Sequence, residues 1–169
     1  NKKSWTNLRK KILAPLNKRL DTVQIKMTSG AKGEGEWDKI DFNTITSKTM
    51  RLYSKAWQNI TKTGQVRTNE LHRIGCAERF SDHINRAAGG DKTAKVRGKR
   101  CNTGELVADA IALCHQEPSG DRSSVTETKR INLQWDDNAK NNVGLGNMVP
   151  IVDVSGSMTV DNSTPLNNA

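Results

Sequence analysis

The residues best spaced for chemistry in this chain are Asp153, Ser155 and Ser157, at alternate positions in Met148-Val149-Pro150-Ile151-Val152-Asp153-Val154-Ser155-Gly156-Ser157-Met158. A carboxylate and two hydroxyls are hard oxygen donors suited to Mg²⁺. They leave the ion's coordination incomplete, open to water and to an oxygen from a partner. The apolar run before them, bounded by Gly144, Gly146 and Asn147, predicts a strand buried on both faces of a parallel sheet. Ligands of open α/β sheets gather just outside the carboxyl ends of such strands. The plain alternative is a turn, since Asp and Ser bond neighbouring backbone groups and Gly relaxes φ. The apolar strand before the motif and the helix-like stretch after it favour the metal site.

A second chemistry resides in Lys92, Lys95, Arg97, Lys99 and Arg100, the densest charge run in the sequence. The segment reads as too polar to pack, and its cations suit contacts to phosphate. A solvated linker explains the same residues equally well. No aromatic side chain interrupts the run, which argues against stacking on single-stranded bases. His72, Cys76 and His83 lie within one expected helix, but a third and fourth ligand at zinc spacing are missing, so they read as structural. Cys114 and His115 are adjacent, and neighbours on a helix do not face one another, which makes them a poor nucleophile and base. With no HExxH, Walker loop or Ser-His-Asp order, the chain does not read as an enzyme.

The elements that must position these residues follow from apolar spacing. Trp5, Leu8, Ile12, Leu16, Leu20, Val23 and Met27 step by three and four along one helical face, with Arg9, Lys10, Lys11, Lys18 and Arg19 opposite. Pro15 should kink this helix or divide it. Residues 28–35 read as a loop, and Trp37, Ile40 and Phe42 form a short apolar segment. Thr46 or Ser47 should cap a helix carrying Met50, Tyr53, Trp57 and Ile60 and stopped by Gly64. Another spans 68–88, with Leu71, Ile74, Phe80 and Ile84 inward and Gly89-Gly90 ending it. Asn102 with Glu105 makes a capping-box start for a helix bearing Leu106, Ala110 and Leu113. Ser124 with Glu127 begins a last one, whose stripe is Val125, Thr128, Ile131, Trp135 and Ala139.

Two resemblances follow from these residues. Asp153-Val154-Ser155-Gly156-Ser157-Met158 is similar to the Asp-x-Ser-x-Ser metal-ion-dependent adhesion motif of von Willebrand factor A domains. The resemblance implies that Ser155 and Ser157 bind Mg²⁺ directly, that Asp153 acts mainly through water, and that a protein partner engages the metal. A Thr and a second Asp supplied by later loops in that family would lie beyond Ala169, so the chain is expected to be a fragment, a processed product or the visible part of a longer polypeptide. Trp37-Asp38-Lys39-Ile40-Asp41-Phe42, Thr46-Ser47-Lys48, Met50 and the Trp135 helix, taken with the Asp153 motif, resemble an uncharacterised family of phage, giant-virus and cellular proteins. That family joins an all-helical module to a von Willebrand A domain. More distantly the layout is similar to the Ro/TROVE RNA-binding proteins. The fold class expected is therefore mostly α-helical: a basic module over 1–145, then over 146–169 the first strand and metal loop of a truncated, Rossmann-like α/β domain.

The totals set bounds on function. Apolar residues make up 34% and aromatics 4% of the 169, so the available core is thin and much of the chain should lie exposed or against a partner. A net charge of +9 favours an anionic partner, RNA or another polyanion, or an acidic protein surface. Three cysteines, Cys76, Cys101 and Cys114, without a CxxC pair point to a reducing compartment and away from a disulfide scaffold. No membrane-spanning run exists, so the expected location is the cytoplasm or a virion. The function expected is a non-enzymatic binding protein, its helical module on RNA or another polyanion and its Mg²⁺-dependent domain on a protein. The alternative is a structural component of a viral particle or other large assembly, completed by neighbouring subunits.

Overall fold

The computed structural model describes residues 2–29, 35–61, 63–115 and 122–140. Their order is α1 (Lys2–Leu8), a π turn (Arg9–Leu13), α2 (Ala14–Leu20), α3 (Val23–Thr28), two 3₁₀ turns (Trp37–Lys39 and Phe42–Thr44), α4 (Ser47–Trp57), α5 (Leu71–Ala88), α6 (Thr103–Cys114) and α7 (Arg122–Ala139). Among the described residues the only β pairing is an isolated antiparallel bridge between Ile60 and Val66. The helical character expected of the module is therefore present. The strand and metal loop expected over 146–169 lie outside the described residues.

The core assembles around the short apolar segment. Trp37, Ile40, Phe42 and Ile45 are buried together with Met50 and Trp57 of α4 and with Cys76, Phe80 and Ile84 of α5. Two 3₁₀ turns set Trp37, Ile40 and Phe42 on one side of a chain too irregular for either helical or strand periodicity. The Phe42 ring lies 5.5 Å from that of Trp57 and 5.1 Å from that of Phe80, both edge-on. Such pairs add about 0.5–1.5 kcal/mol each beyond the area they bury. Arg79 of α5 fastens the segment by donating to the carbonyls of Trp37 (2.6 Å) and Ile40 (3.2 Å). Thus a polar side chain satisfies carbonyls that an irregular chain leaves open.

Helix α5 differs from its expected stripe. Phe80 and Ile84 are buried as the spacing predicts, with Cys76 and His83 beside them. Leu71, however, is 85% exposed and Ile74 is 37% exposed, whereas Arg73 of the same turn packs over the Trp37 ring. Its end matches expectation: Gly89 caps the helix and Gly90 takes φ +86°, a left-handed turn that favours glycine.

Helix α7 buries Ile131 of its expected stripe but turns much of the rest outward. Val125 and Trp135 are about half exposed, whereas Thr126, Glu127, Arg130 and Gln134 are buried beside Ile131. The polar face turns inward because its groups satisfy one another and their neighbours. Arg130 bonds Glu127 at 2.9 Å and Asp109 of α6 at 3.3 Å, and it also donates to Gln134. Asp109 in turn takes Arg51 of α4 at 2.9 Å. One carboxylate therefore links three helices.

The first helix runs on through Pro15. The π turn at Arg9–Leu13 ends two residues before it, and a π turn accommodates a residue that cannot complete the α pattern. None of the residues in α1, the π turn or α2 is buried. Their apolar stripe, Trp5, Leu8, Ile12, Leu16 and Leu20, is exposed throughout.

Candidate nucleic-acid interface

The loop that carries the basic run joins α5 to α6, and its backbone is fixed at almost every step. Asp91 receives the Thr93 amide and Arg86 Nε, each at 2.8 Å. The Thr93 hydroxyl and amide, with Arg86, hold the Asp91 carboxyl down to about 2. The Lys95 amide donates to Asn43 Oδ1 (2.8 Å), while the Lys95 carbonyl lies 3.2 Å from His83 Nε2. The Gly98 and Lys99 amides both donate to Asp137 Oδ2 of α7, at 2.7 and 3.0 Å. Gln134 Nε2 reaches the carbonyls of Arg97 (2.9 Å) and Ser47 (3.0 Å), and Asn138 reaches those of Gly98 and Cys101.

The expectation that this segment is too polar to pack is thus corrected for its backbone. Ala94 and Cys101 are each 7% exposed, and Val96 packs against the core. Gly98 lies so close to α7 that a Cβ there would sit 1.7 Å from the Gln134 carbonyl oxygen. Only glycine permits that approach. Meanwhile Lys92, Lys95, Arg97, Lys99 and Arg100 all keep their side chains exposed. The result is a ridge of cations on a backbone anchored from α4, α5 and α7.

The five sites do not all converge. Arg97, Lys99 and Arg100 line a 730 Å³ concavity together with Thr46, Ser47, Lys48 and Asp137, whereas Lys92 and Lys95 do not line it. The concavity opens at the start of α4. Thr46 makes no side-chain cap bond there, its hydroxyl going instead to that of Thr49 at 2.9 Å. The first turn of α4 holds no acidic residue, so the helix's partial positive charge adds to the field of the four cations.

Lys48 was missed by reading only the charge run. The available signal was its position: a lysine in a helix's first turn adds its charge to the positive end of the macrodipole. The acid in the lining, Asp137, spends one oxygen on two loop amides, so it orders the ridge while lowering its net charge.

Asp153, Ser155 and Ser157 lie outside the described residues. As a donor set they fit a hard divalent cation and leave it coordinatively open. Among the described residues no group of three His, Cys, Asp or Glu side chains could hold a metal. His72 lies beside Glu70, His83 faces the Lys95 carbonyl and Cys76 is buried, so the zinc reading finds no geometry. Burial pushes the Cys76 thiol up to about 11 and also raises that of Cys101, which disfavours the thiolate in both. All three cysteines are free. Among the described residues no helix is long and apolar enough to cross a membrane.

No protein-family model, curated protein or solved structure matches this chain.

Proposed function

We propose that this chain is a non-enzymatic binding protein whose helical module engages RNA, as a polyanion, through the ridge of Lys92, Lys95, Arg97, Lys99 and Arg100, with Lys48 added. One observation carries the reading: five exposed cations stand on a loop whose amides and carbonyls are held by Asn43, Gln134, Asp137 and Asn138. A solvated linker has no need of such anchoring, whereas a phosphate-contacting surface gains from it, because less ordering entropy is lost on binding. With no aromatic among these cations, the contact is to backbone phosphate and carries little sequence preference.

The test is a salt titration of binding to a single-stranded RNA. Each phosphate contact steepens the fall of log affinity with log salt by about 0.7 for a single strand. Affinity independent of ionic strength would sink the proposal.

In the same reading Asp153, Ser155 and Ser157 hold Mg²⁺ and present it to a protein partner, on the strength of their donor chemistry and spacing alone. A second reading, a component of a large assembly, is favoured by the exposed stripe from Trp5 to Leu20. A helix with an apolar face and no buried residue is suited to packing against another subunit.

A further inference from the structure

A second cationic cleft lies further along α4, lined by residues 51–56 of that stretch, whereas the concavity beside the ridge takes only residues 46–48. Its volume is 550 Å³, within the range of small-molecule sites. Its apolar wall residues include Met27, Leu52, Ala56 and Ile131, with the half-buried Tyr53, and Arg67 and Arg73 line the same cleft.

Two other arginines of the cleft are already matched by carboxylates. Arg51 pairs with Glu105 and Asp109, and Arg130 pairs with Glu127 and Asp109. Arg67 and Arg73 differ: among the described residues no carboxylate forms an ion pair with either. Each gives one N–H to a carbonyl near the end of α4, Arg67 Nε to Ile60 and Arg73 Nη2 to Ala56 at 2.9 Å. Carbonyl capping accounts for those two bonds and no more. Arg73 Nε is buried and has no acceptor, and its guanidinium is held 3.5 Å from the centre of the Trp37 ring. Burial lowers the Arg73 pKa and the nearby Arg67 lowers it further, with Cys76 and Glu70 opposing. Arg67 and Arg73 repel each other in a cleft whose two lining carboxylates, Asp109 and Glu127, are engaged by Arg51 and Arg130.

We infer that this cleft binds a nucleoside monophosphate, with the phosphate between Arg67 and Arg73 and the nucleoside against Tyr53 and the apolar wall. A phosphomonoester carries about −1.5 to −2 charges at neutral pH, which matches two cations where a carboxylate would match one. Guanidinium forks suit its oxygens.

Isothermal titration of the full chain with adenosine 5′-monophosphate, adenosine and inorganic phosphate tests this. Adenosine monophosphate should bind one to one, and more tightly than either of the others. Arg67→Ala, at an exposed position, should weaken it about tenfold or more, as losing a charge-assisted bond does. Arg73→Lys, which keeps the charge but loses the fork, should weaken it as well. The double variant Lys99→Glu/Arg100→Glu should leave this binding unchanged, so a failure here is distinct from a failure of the RNA ridge. Absence of binding, equal affinity for inorganic phosphate, or wild-type affinity in Arg67→Ala would each overturn the inference and leave both arginines as caps of α4.

Discussion

Arg130 shows most directly how this chain stabilises itself with few apolar residues. Its side chain is 2% exposed, between Glu127, Gln134 and Asp109. Removing one partner from a buried ionic network leaves the others charged, desolvated and unpaired, at a cost of about 3–5 kcal/mol. Arg130→Ala should therefore lose about that much stability in urea denaturation, and a loss below about 1 kcal/mol would show that the network is not needed for the fold. His83 gives a second test at this scale. Burial lowers its pKa below the ordinary 6.5, with Arg86 acting the same way and the Lys95 carbonyl, Asp41 and Asp82 opposing. Below about 6.5 the unfolded chain takes up a proton that the folded chain refuses, so stability falls as pH drops through that value towards the depressed one. Melting temperature measured from pH 7.5 to 5 should fall more steeply in the native chain than in His83→Gln, and identical slopes would remove His83 from the account. Neither behaviour was legible in the sequence. Nothing in the spacing of Glu127, Arg130 and Gln134 distinguishes a solvated face from a buried, mutually satisfied one.

At the level of elements, the readings that succeeded rest on local backbone chemistry. Asn102 caps α6 by accepting from the Gly104 amide at 2.9 Å, and Gly90 turns the chain after α5; both follow from what those side chains allow. Readings of which face points inward fared worse, because burial depends on neighbours that a single helix does not specify. Leu71 and the stripe from Trp5 to Leu20 are apolar yet exposed, while α7 buries amide and charge. The contrast gives a prediction. Leu16 is 52% exposed and Phe80 fully buried, so Leu16→Glu should leave the urea midpoint unchanged, while Phe80→Ala should cost about 3–5 kcal/mol through the cavity it opens. A comparable loss in Leu16→Glu would mean that the stripe packs against something in solution, and would strengthen the assembly reading. The ridge is the intermediate case: its cations were legible as charge, whereas its anchoring was not, since Asp137 and Asn138 are 38 and 40 positions from the groups they hold.

For the whole molecule, a net charge of +9 raises an objection to any local interface, because a cationic chain attracts polyanions wherever its charges lie. Two variants of equal net charge separate the alternatives. Lys99→Glu/Arg100→Glu reverses two cations on the anchored ridge, and Lys10→Glu/Lys11→Glu reverses two in the exposed π turn. Long-range attraction is screened within about 8 Å at physiological salt, so a diffuse mechanism would weaken RNA binding similarly in both. Direct phosphate contact at the ridge should instead weaken the first variant by about tenfold or more while leaving the second within about twofold, since each charge-assisted bond contributes about 1.5–3 kcal/mol. The same pair should split in salt slope, the ridge variant losing about 0.7 for each phosphate contact removed and the π-turn variant keeping the native slope. Equal losses in the two would reduce the ridge to one part of a uniformly basic surface. The anchoring by Asn43, Gln134, Asp137 and Asn138 would then serve only the joint between α5 and α6.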